Sequence, residues 1–378
     1  MQKEHNMKKS AITLILFSAA LTACGNFSGG NSGKREFTDM ADRKILVSEN
    51  VTKIFSTSPM GTTLAYSFDP ELLIGWNYKV NKEDSEYMNE KYRELPELGG
   101  WFGKSAGVNL EIIAAAKPDL IISLSTSSDG FEKDKSLTIS SKTGIPVAVF
   151  NMKTVEDIPA VFEAMGELTG NKKRADILKA YTQRIINRAK KISASAPEQR
   201  KVRVYYAEGL KGLNTEPDQS MHSELIKFCG GHNVAQIKEN DMGGYGNTPV
   251  SMEQVVVWNP EIILISDYLG KDGGMKGWND IINNNPLWNK IDAVRNGKVY
   301  IVPRSPFQWI DRPPSVNRIA GLIWLPYIFY PDLCSYDIKN EIKEFYSIFY
   351  GKKLSDTEAE ELLSANIYSK KTKRNIER

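Results

Sequence analysis

Two stretches of this chain repeat one pattern. Asn109-Leu110-Glu111 leads to Lys117-Pro118-Asp119-Leu120-Ile121-Ile122-Ser123, and Ser251-Met252-Glu253 leads to Asn259-Pro260-Glu261-Ile262-Ile263-Leu264-Ile265-Ser266. In each, a glutamate stands seven residues before a proline, a weakly helical apolar stretch fills the gap, and a β-branched apolar run follows. Asn109 and Ser251 suit a helix N-cap, and the glutamate two positions on sits in the first turn, where the positive end of the helix dipole favours a carboxylate. The proline stops the helix, because its ring pushes the preceding residue out of the α region. Leu120 to Leu124 and Ile262 to Ile265 are continuously apolar, as strands buried on both faces of a parallel sheet are. Helix followed by buried strand is half of a βαβ unit, so the chain reads as two halves of one α/β architecture.

The first residues indicate a compartment. Lys8 and Lys9 precede an apolar run from Ala11 to Leu21, which closes on Leu21-Thr22-Ala23-Cys24. This is a secretory leader whose apolar part is too short to span a bilayer. Residues 25–43, rich in Gly, Asn and Ser, read as a flexible tether. Forty-nine basic against 46 acidic residues leave a formal net charge of +3, no field suited to nucleic acid. Besides Cys24 only Cys229 and Cys334 remain, free or paired with each other. No Cys-x-x-Cys or His-Glu-x-x-His spacing announces a zinc site.

Along the body, strands are expected near Lys44 to Val47, Lys53 to Phe55, Leu72 to Trp76, Ile145 to Phe150, Lys201 to Ala207 and Lys298 to Val302. Helices are expected at Thr62 to Phe68, Lys133 to Lys142, Ser223 to Cys229, Pro314 to Phe329, Ile338 to Tyr350 and Asp356 to Ala365. Ala175, Leu178, Tyr181, Ile185, Ala189 and Ile192 recur at three- and four-residue steps and predict one helix of about 24 residues, begun at Gly170-Asn171 and ended at Ala196-Pro197. The division that follows is a leader (1–24), a tether (25–43), a first lobe (44–169), a connecting helix (170–197) and a second lobe (198–378). The fold class is α/β, with two similar lobes of parallel sheet joined by the long helix and a ligand cleft between them.

Together the Leu-Thr-Ala-Cys ending, which is similar to the bacterial lipobox, Ser58-Pro59 after a strand, the two glutamate motifs, the long middle helix and Phe228-Cys229-Gly230-Gly231-x-Asn233 resemble the helical-backbone substrate-binding proteins of bacterial ABC importers. That family serves iron-siderophore, haem and cobalamin uptake, with relatives for molybdate. The resemblance implies a lipid on Cys24 that holds the protein outside the cytoplasm, no enzymatic activity and no resident cofactor. It implies partners too: a permease dimer with its ATPase subunits, docked by Glu111 and Glu253, and a small metal chelate, ferric by preference.

The ligand is expected on loops at the carboxyl ends of strands. Candidates are Ser58 at a helix start, Trp101, Phe102 and Lys104 in a glycine-flanked loop, and Tyr245 at the equivalent place in the second half. His222 follows, as a metal ligand or a hydrogen-bonding group, although a plain helix-start residue is the simpler reading. Trp309 and Arg312 lie in the stiff stretch Ser305-Pro306-Phe307-Gln308-Trp309-Ile310-Asp311-Arg312-Pro313-Pro314, where the guanidinium fork suits an anionic group, unless Asp311 neutralises it. Of the other histidines, His5 lies in the leader and His232 follows a helix-capping glycine pair. Cobalamin, haem or a molybdate-type oxyanion are alternative ligands, and a chelatase-like two-lobed enzyme is the rival from another class. That rival needs a metal-holding or basic cluster of which the sequence offers one histidine.

Overall fold

The computed structural model describes residues 33–101, 109–126, 130–238, 247–266 and 275–364. From Lys34 onward the chain forms one compact unit. It opens with β1 (Lys34–Thr38) and β2 (Lys44–Ser48), paired antiparallel. The expected tether therefore ends sooner than residue 43. Composition hid this, because only Phe37 of β1 is buried. What fixes the ribbon is polar: the Asp39 carboxylate accepts from Arg43 Nε (3.0 Å) and from the Val149 amide (2.9 Å) of the neighbouring sheet.

The first half continues with β3 (Ile54–Ser56), α1 (Pro59–Phe68), a short α2 (Lys82–Ser85), α3 (Leu110–Ala116), β4 (Leu120–Ser125), α4 (Phe131–Thr143), β5 (Val147–Asn151) and α5 (Ile158–Thr169). Its sheet has the order β3-β4-β5, all parallel. The strand expected from Leu72 to Trp76 is reduced to isolated bridges, Ile54 with Leu73 and Trp76 with Glu97. Gly75 explains the break. A Cβ there would stand 2.7 Å from the Pro96 carbonyl oxygen, so the two backbones lie too close for an ordinary side chain.

The long helix, α6 (Lys172–Ser195), has its expected length of 24 residues, and the whole predicted stripe is buried. Asn171 caps it by accepting from the Arg174 amide at 3.2 Å. It is more than a strut. α5 lies against it so closely that a Cβ on Gly166 would fall 2.4 Å from that of Ala175. On its other side it meets α11 (Arg318–Phe329), a helix of the second half.

The second half adds β6 (Arg203–Ala207), β7 (Asn214–Thr215), α7 (Glu224–Phe228), β8 (His232–Asn233), β9 (Thr248–Pro249), α8 (Met252–Trp258), β10 (Ile262–Ile265), α9 (Met275–Asn284), α10 (Asp292–Arg295) and β11 (Val299–Ile301) before α11. α12 (Ile338–Tyr350) and α13 (Asp356–Ser364) close the described chain. Its sheet runs β11-β10-β6-β8, again parallel.

The repeated motif becomes repeated structure. α3 and α8 are both seven residues long, and both end in a left-handed residue just before the proline, Lys117 (φ 50°) and Asn259 (φ 39°). One apolar core then joins the halves. Leu64 and Phe162 from the first, Leu178 and Ile185 from α6, and Ile319 and Phe345 from the second belong to the same buried cluster. Each fully buried side chain of this kind contributes about 1.5–3 kcal/mol. The thiols of Cys229 and Cys334 are free, and Cys229 is buried.

Candidate functional site

Glu208 directly follows β6, at the carboxyl end of the second sheet, where open α/β sheets place their sites. Gly209 (φ +71°) then turns the chain, and Glu208 and Asn214 exchange backbone hydrogen bonds of 2.8 and 3.1 Å. Glu216 is thereby delivered just past β7. From the other side comes the loop after β11, which brings Asp311 and Arg312. Arg312 adopts φ +56°, a conformation that a residue with a side chain holds only when its surroundings fix it.

What fixes it is a cage of carboxylates. Arg312 Nε and Nη2 donate to the two oxygens of Glu208, each at 2.9 Å, and Nη2 donates also to Glu216. The Asp311 carboxylate stands 3.5 Å from Nε. The side chains of Glu208, Glu216 and Asp311 are 2%, 0% and 0% exposed, whereas that of Arg312 is 25% exposed. One oxygen from each of the three acids lies within 4.8 Å of the others, a spacing that would suit a metal ion, but the guanidinium already stands among them. Three acids crowd one guanidinium in a place screened from water, where their like charges act strongly on one another.

That crowding shows in the titration of its members. Burial, and then the charge of Glu208, push Glu216 up to about 7, although His222, Ser220 and Arg312 pull it down. The Ser220 hydroxyl (2.7 Å) and the Asn247 amide (2.9 Å) both donate to this carboxyl. Burial alone would lower His222, but its bond to Asp311, and the charges of Asp311 and Glu216, raise it.

His222 lies in a 3-10 turn, Met221–Ser223, and its Nδ1 meets Asp311 Oδ1 at 2.6 Å. A second arginine locks this contact. Arg318, 2% exposed, donates through Nη2 to the Met221 carbonyl (2.9 Å), through Nε to the Ile310 carbonyl (3.2 Å), and pairs with Glu224 at 2.8 Å. Gln308 ties the same loop to the sheet. Its Oε1 accepts from Tyr206 (3.2 Å) and the Asp311 amide (3.0 Å), and its Nε2 donates to Ser266 (3.2 Å).

In the first half, Ser58 precedes α1 and its hydroxyl makes no capping bond, so it is not committed to the helix. Trp101 donates its backbone N–H to the Thr57 carbonyl (2.8 Å) and sets its ring edge-on to Phe55 at 6.1 Å, half-buried at the end of β3. Beside it Thr57 bonds Ser123 at 2.9 Å, and Ser123 donates to Glu132 at 2.6 Å. The halves meet at a hollow of about 420 Å³, lined by Lys153 and Thr154 after β5 and by Asp218, Ser220 and Glu224 across from them. There the Val155 amide donates to Glu224 at 3.1 Å.

Among the sequence candidates, the structure brings His222 and Arg312 together and places Ser58 and Trp101 at the first sheet. Phe102, Lys104 and Tyr245 lie outside the described residues, as does Cys24. Trp309 is a correction. It is fully buried and packs on Trp324 (6.2 Å) and Tyr346 (6.5 Å), so it presents no surface to a solute. Its loop is seated on Gly321, where a Cβ would stand 2.3 Å from the Trp309 carbonyl oxygen. Arg312 is corrected in part: expected as a fork open to a ligand unless Asp311 neutralises it, it is engaged mainly by Glu208 and Glu216, which sequence reading did not single out. Glu111 and Glu253 are exposed in the first turns of α3 and α8, behind the caps Asn109 and Ser251.

Comparison with known proteins supports the fold. A family model described as periplasmic binding protein matches residues 69–306. A solved structure, an ABC transporter solute binding protein from Sulfurospirillum deleyianum, is 34% identical with a TM-score of 0.76, covering 86% of this chain and 98% of that one. The vitamin B12-binding protein of Vibrio parahaemolyticus is 27% identical over 274 residues, 71% of this chain and 86% of that protein. The molybdate-bound molybdate-binding protein MolA of Haemophilus influenzae shares the fold, with a TM-score of 0.66 at 20% identity over 85% of this chain and 99% of that one.

Proposed function

Because the chain belongs to the periplasmic binding protein family, we propose that it captures a small metal chelate of neutral or positive net charge, a ferric chelate by preference, for an ABC importer. Relatives are solute-binding proteins rather than enzymes. The observation that carries the reading is the carboxylate cage around Arg312. A lone arginine would favour a dianionic oxyanion. Held by three buried acids, Arg312 instead offers directed N–H groups without a positive field, and a ligand that brings added negative charge is repelled.

The wider reading is a lipoprotein. Cys24 carries the anchor, no described helix is long and apolar enough to cross a membrane, and the protein works at the outer face of the cell membrane. Glu111 and Glu253, exposed on matching helices, form ion pairs with arginines of the two permease subunits, whose ATPase partners drive release.

The test is a calorimetric titration of the purified protein with ferric siderophores of differing net charge, cobalamin, haem, nickel chelates and molybdate. Neutral or cationic metal chelates are expected to bind at least tenfold more tightly than molybdate. Preferential binding of molybdate, or of the most anionic ferric complex, refutes the proposal.

A further inference from the structure

Glu224 touches both halves of the protein. It opens α7, and its Oε1 accepts from the Val155 amide of the first half at 3.1 Å. Its buried Oε2 faces Arg318 Nη1 at 2.8 Å, a charge contact rather than an aligned hydrogen bond. Arg318 in turn holds both sides of the cluster. Its Nη2 donates to the Met221 carbonyl beside His222 (2.9 Å), and its Nε to the Ile310 carbonyl beside Asp311 and Arg312 (3.2 Å). A chain of contacts thus runs from first-half backbone through Glu224 and Arg318 to the cage.

The first-half end of that chain is shaped to present one N–H. Asp157 accepts from the amides of Lys153 and Thr154, at 2.9 and 2.8 Å, and so holds the 3-10 turn Val155–Asp157; the next amide, that of Val155, goes across to Glu224. The same turn is pinned again where Glu156 pairs with Lys190 of α6, whose ammonium lies 5.9 Å from the centre of the Phe228 ring at the far end of α7. The hollow of about 420 Å³ opens alongside, lined by Lys153, Thr154 and Glu224, so a slight tilt of the first half has room to lift the turn. Arg318 is 2% exposed, and a guanidinium buried that deeply is strongly unfavourable without its carboxylate. When Glu224 shifts, Arg318 follows, and the carbonyls of Met221 and Ile310 follow Arg318.

We propose that Glu224 is a positioning residue that couples the seating of the two halves to the shape of the cage. With Val155 docked on it, the turn at His222 and the loop at Arg312 are held in register; with Val155 lifted, both loosen. The inference rests on the cage as the place where cargo is held, and adds how that place is regulated. Cargo that draws the halves together tightens its own site, and a tilt imposed on one half by the permease loosens it.

The test is hydrogen exchange on the cargo-free protein, read at the amides of His222 and Asp311, which donate to Ser220 Oγ (3.2 Å) and Gln308 Oε1 (3.0 Å). Val155→Pro removes the cross-half N–H. Thr154 is already extended (φ −128°, ψ 167°), as a residue before proline must be, and proline is accepted at the first position of a helical turn. Exchange at His222 and Asp311 is expected to quicken at least about tenfold, with α12 changed by less than about twofold, a pattern that general destabilisation would not give. In a Glu224→Ala background the same substitution is expected to add less than about twofold, because the chain is already cut. If the proline quickens β5 to the same extent, Asp157→Ala takes its place, freeing the turn without altering Val155, and the same two outcomes decide. Unchanged exchange at His222 and Asp311, or a full effect that persists without Glu224, overturns the proposal. No cargo is used, so this result and that of the titrations with metal chelates fail independently.

Discussion

Replacing Glu216 by glutamine tests the electrostatics of the cage. The side chain is wholly buried, and its carboxyl is raised from an ordinary 4.5 to about 7, chiefly by burial and then by Glu208. A raised carboxyl means that the folded protein holds this proton more tightly than the unfolded chain does. Stability from this group is therefore full below pH 4.5 and declines as pH rises through about 7, above which the loss is complete. The gap corresponds to a loss of roughly 3 kcal/mol. Glutamine fits the same contacts. Its oxygen accepts from Asn247 and Arg312 where Oε1 did, and its amide donates to the Ser220 hydroxyl where Oε2 accepted. His222 is raised in part by the charge of Glu216, so its own contribution, full below about pH 6.5 and lost as pH rises through its folded value, is smaller in the Glu216→Gln protein.

Urea unfolding at pH 5 and pH 8 measures the difference. The Glu216→Gln protein is expected to match wild type within about 1 kcal/mol at pH 5 and to exceed it by up to about 3 kcal/mol at pH 8. If the two proteins instead lose stability in parallel between these pH values, Glu216 is not the strained member of the cluster and the charge argument fails.

Two further outcomes follow from particular residues. Glu111→Ala and Glu253→Ala, exposed at the starts of α3 and α8, are expected to leave stability within about 0.5 kcal/mol and solute affinity unchanged, while the double variant delivers cargo to a reconstituted importer at least tenfold more slowly. Unimpaired uptake by the double variant refutes the docking role. Trp309→Ala is expected to cost about 3–5 kcal/mol in urea unfolding, because it empties a closed site between Trp324 and Tyr346. A cost below about 1 kcal/mol would show that the ring does not anchor the loop that carries Arg312.

Local signals carried much of the fold. The three- and four-residue spacing from Ala175 to Ile192, with Asn171 before it and Ala196-Pro197 after it, specifies α6, and the apolar run Ile262 to Ile265 is β10 as written. Helix α5 was not singled out, although the signals are there: Thr154 and Asp157 form a capping box ahead of it. The site was less legible. Arg312 bonds partners 104 and 96 residues away, and no spacing within a chain announces a contact of that range. The hints were slight, an acid straight after a strand at Glu208 and another before Pro217. Trp309 misled because glycine-free, proline-flanked aromatic stretches serve equally as exposed platforms and as plugs. Only the close approach at Gly321 decides between them.

The continuous core that runs from Leu64 through Leu178 to Phe345 has a mechanical meaning. Parting the sheets widely would expose oily side chains on both sides of α6 at once, so any breathing around cargo is confined to slight tilts and loop adjustments. Empty and laden molecules then differ little in silhouette, and a transporter that must tell them apart has to sense local stiffness or small changes in the spacing of surface charges.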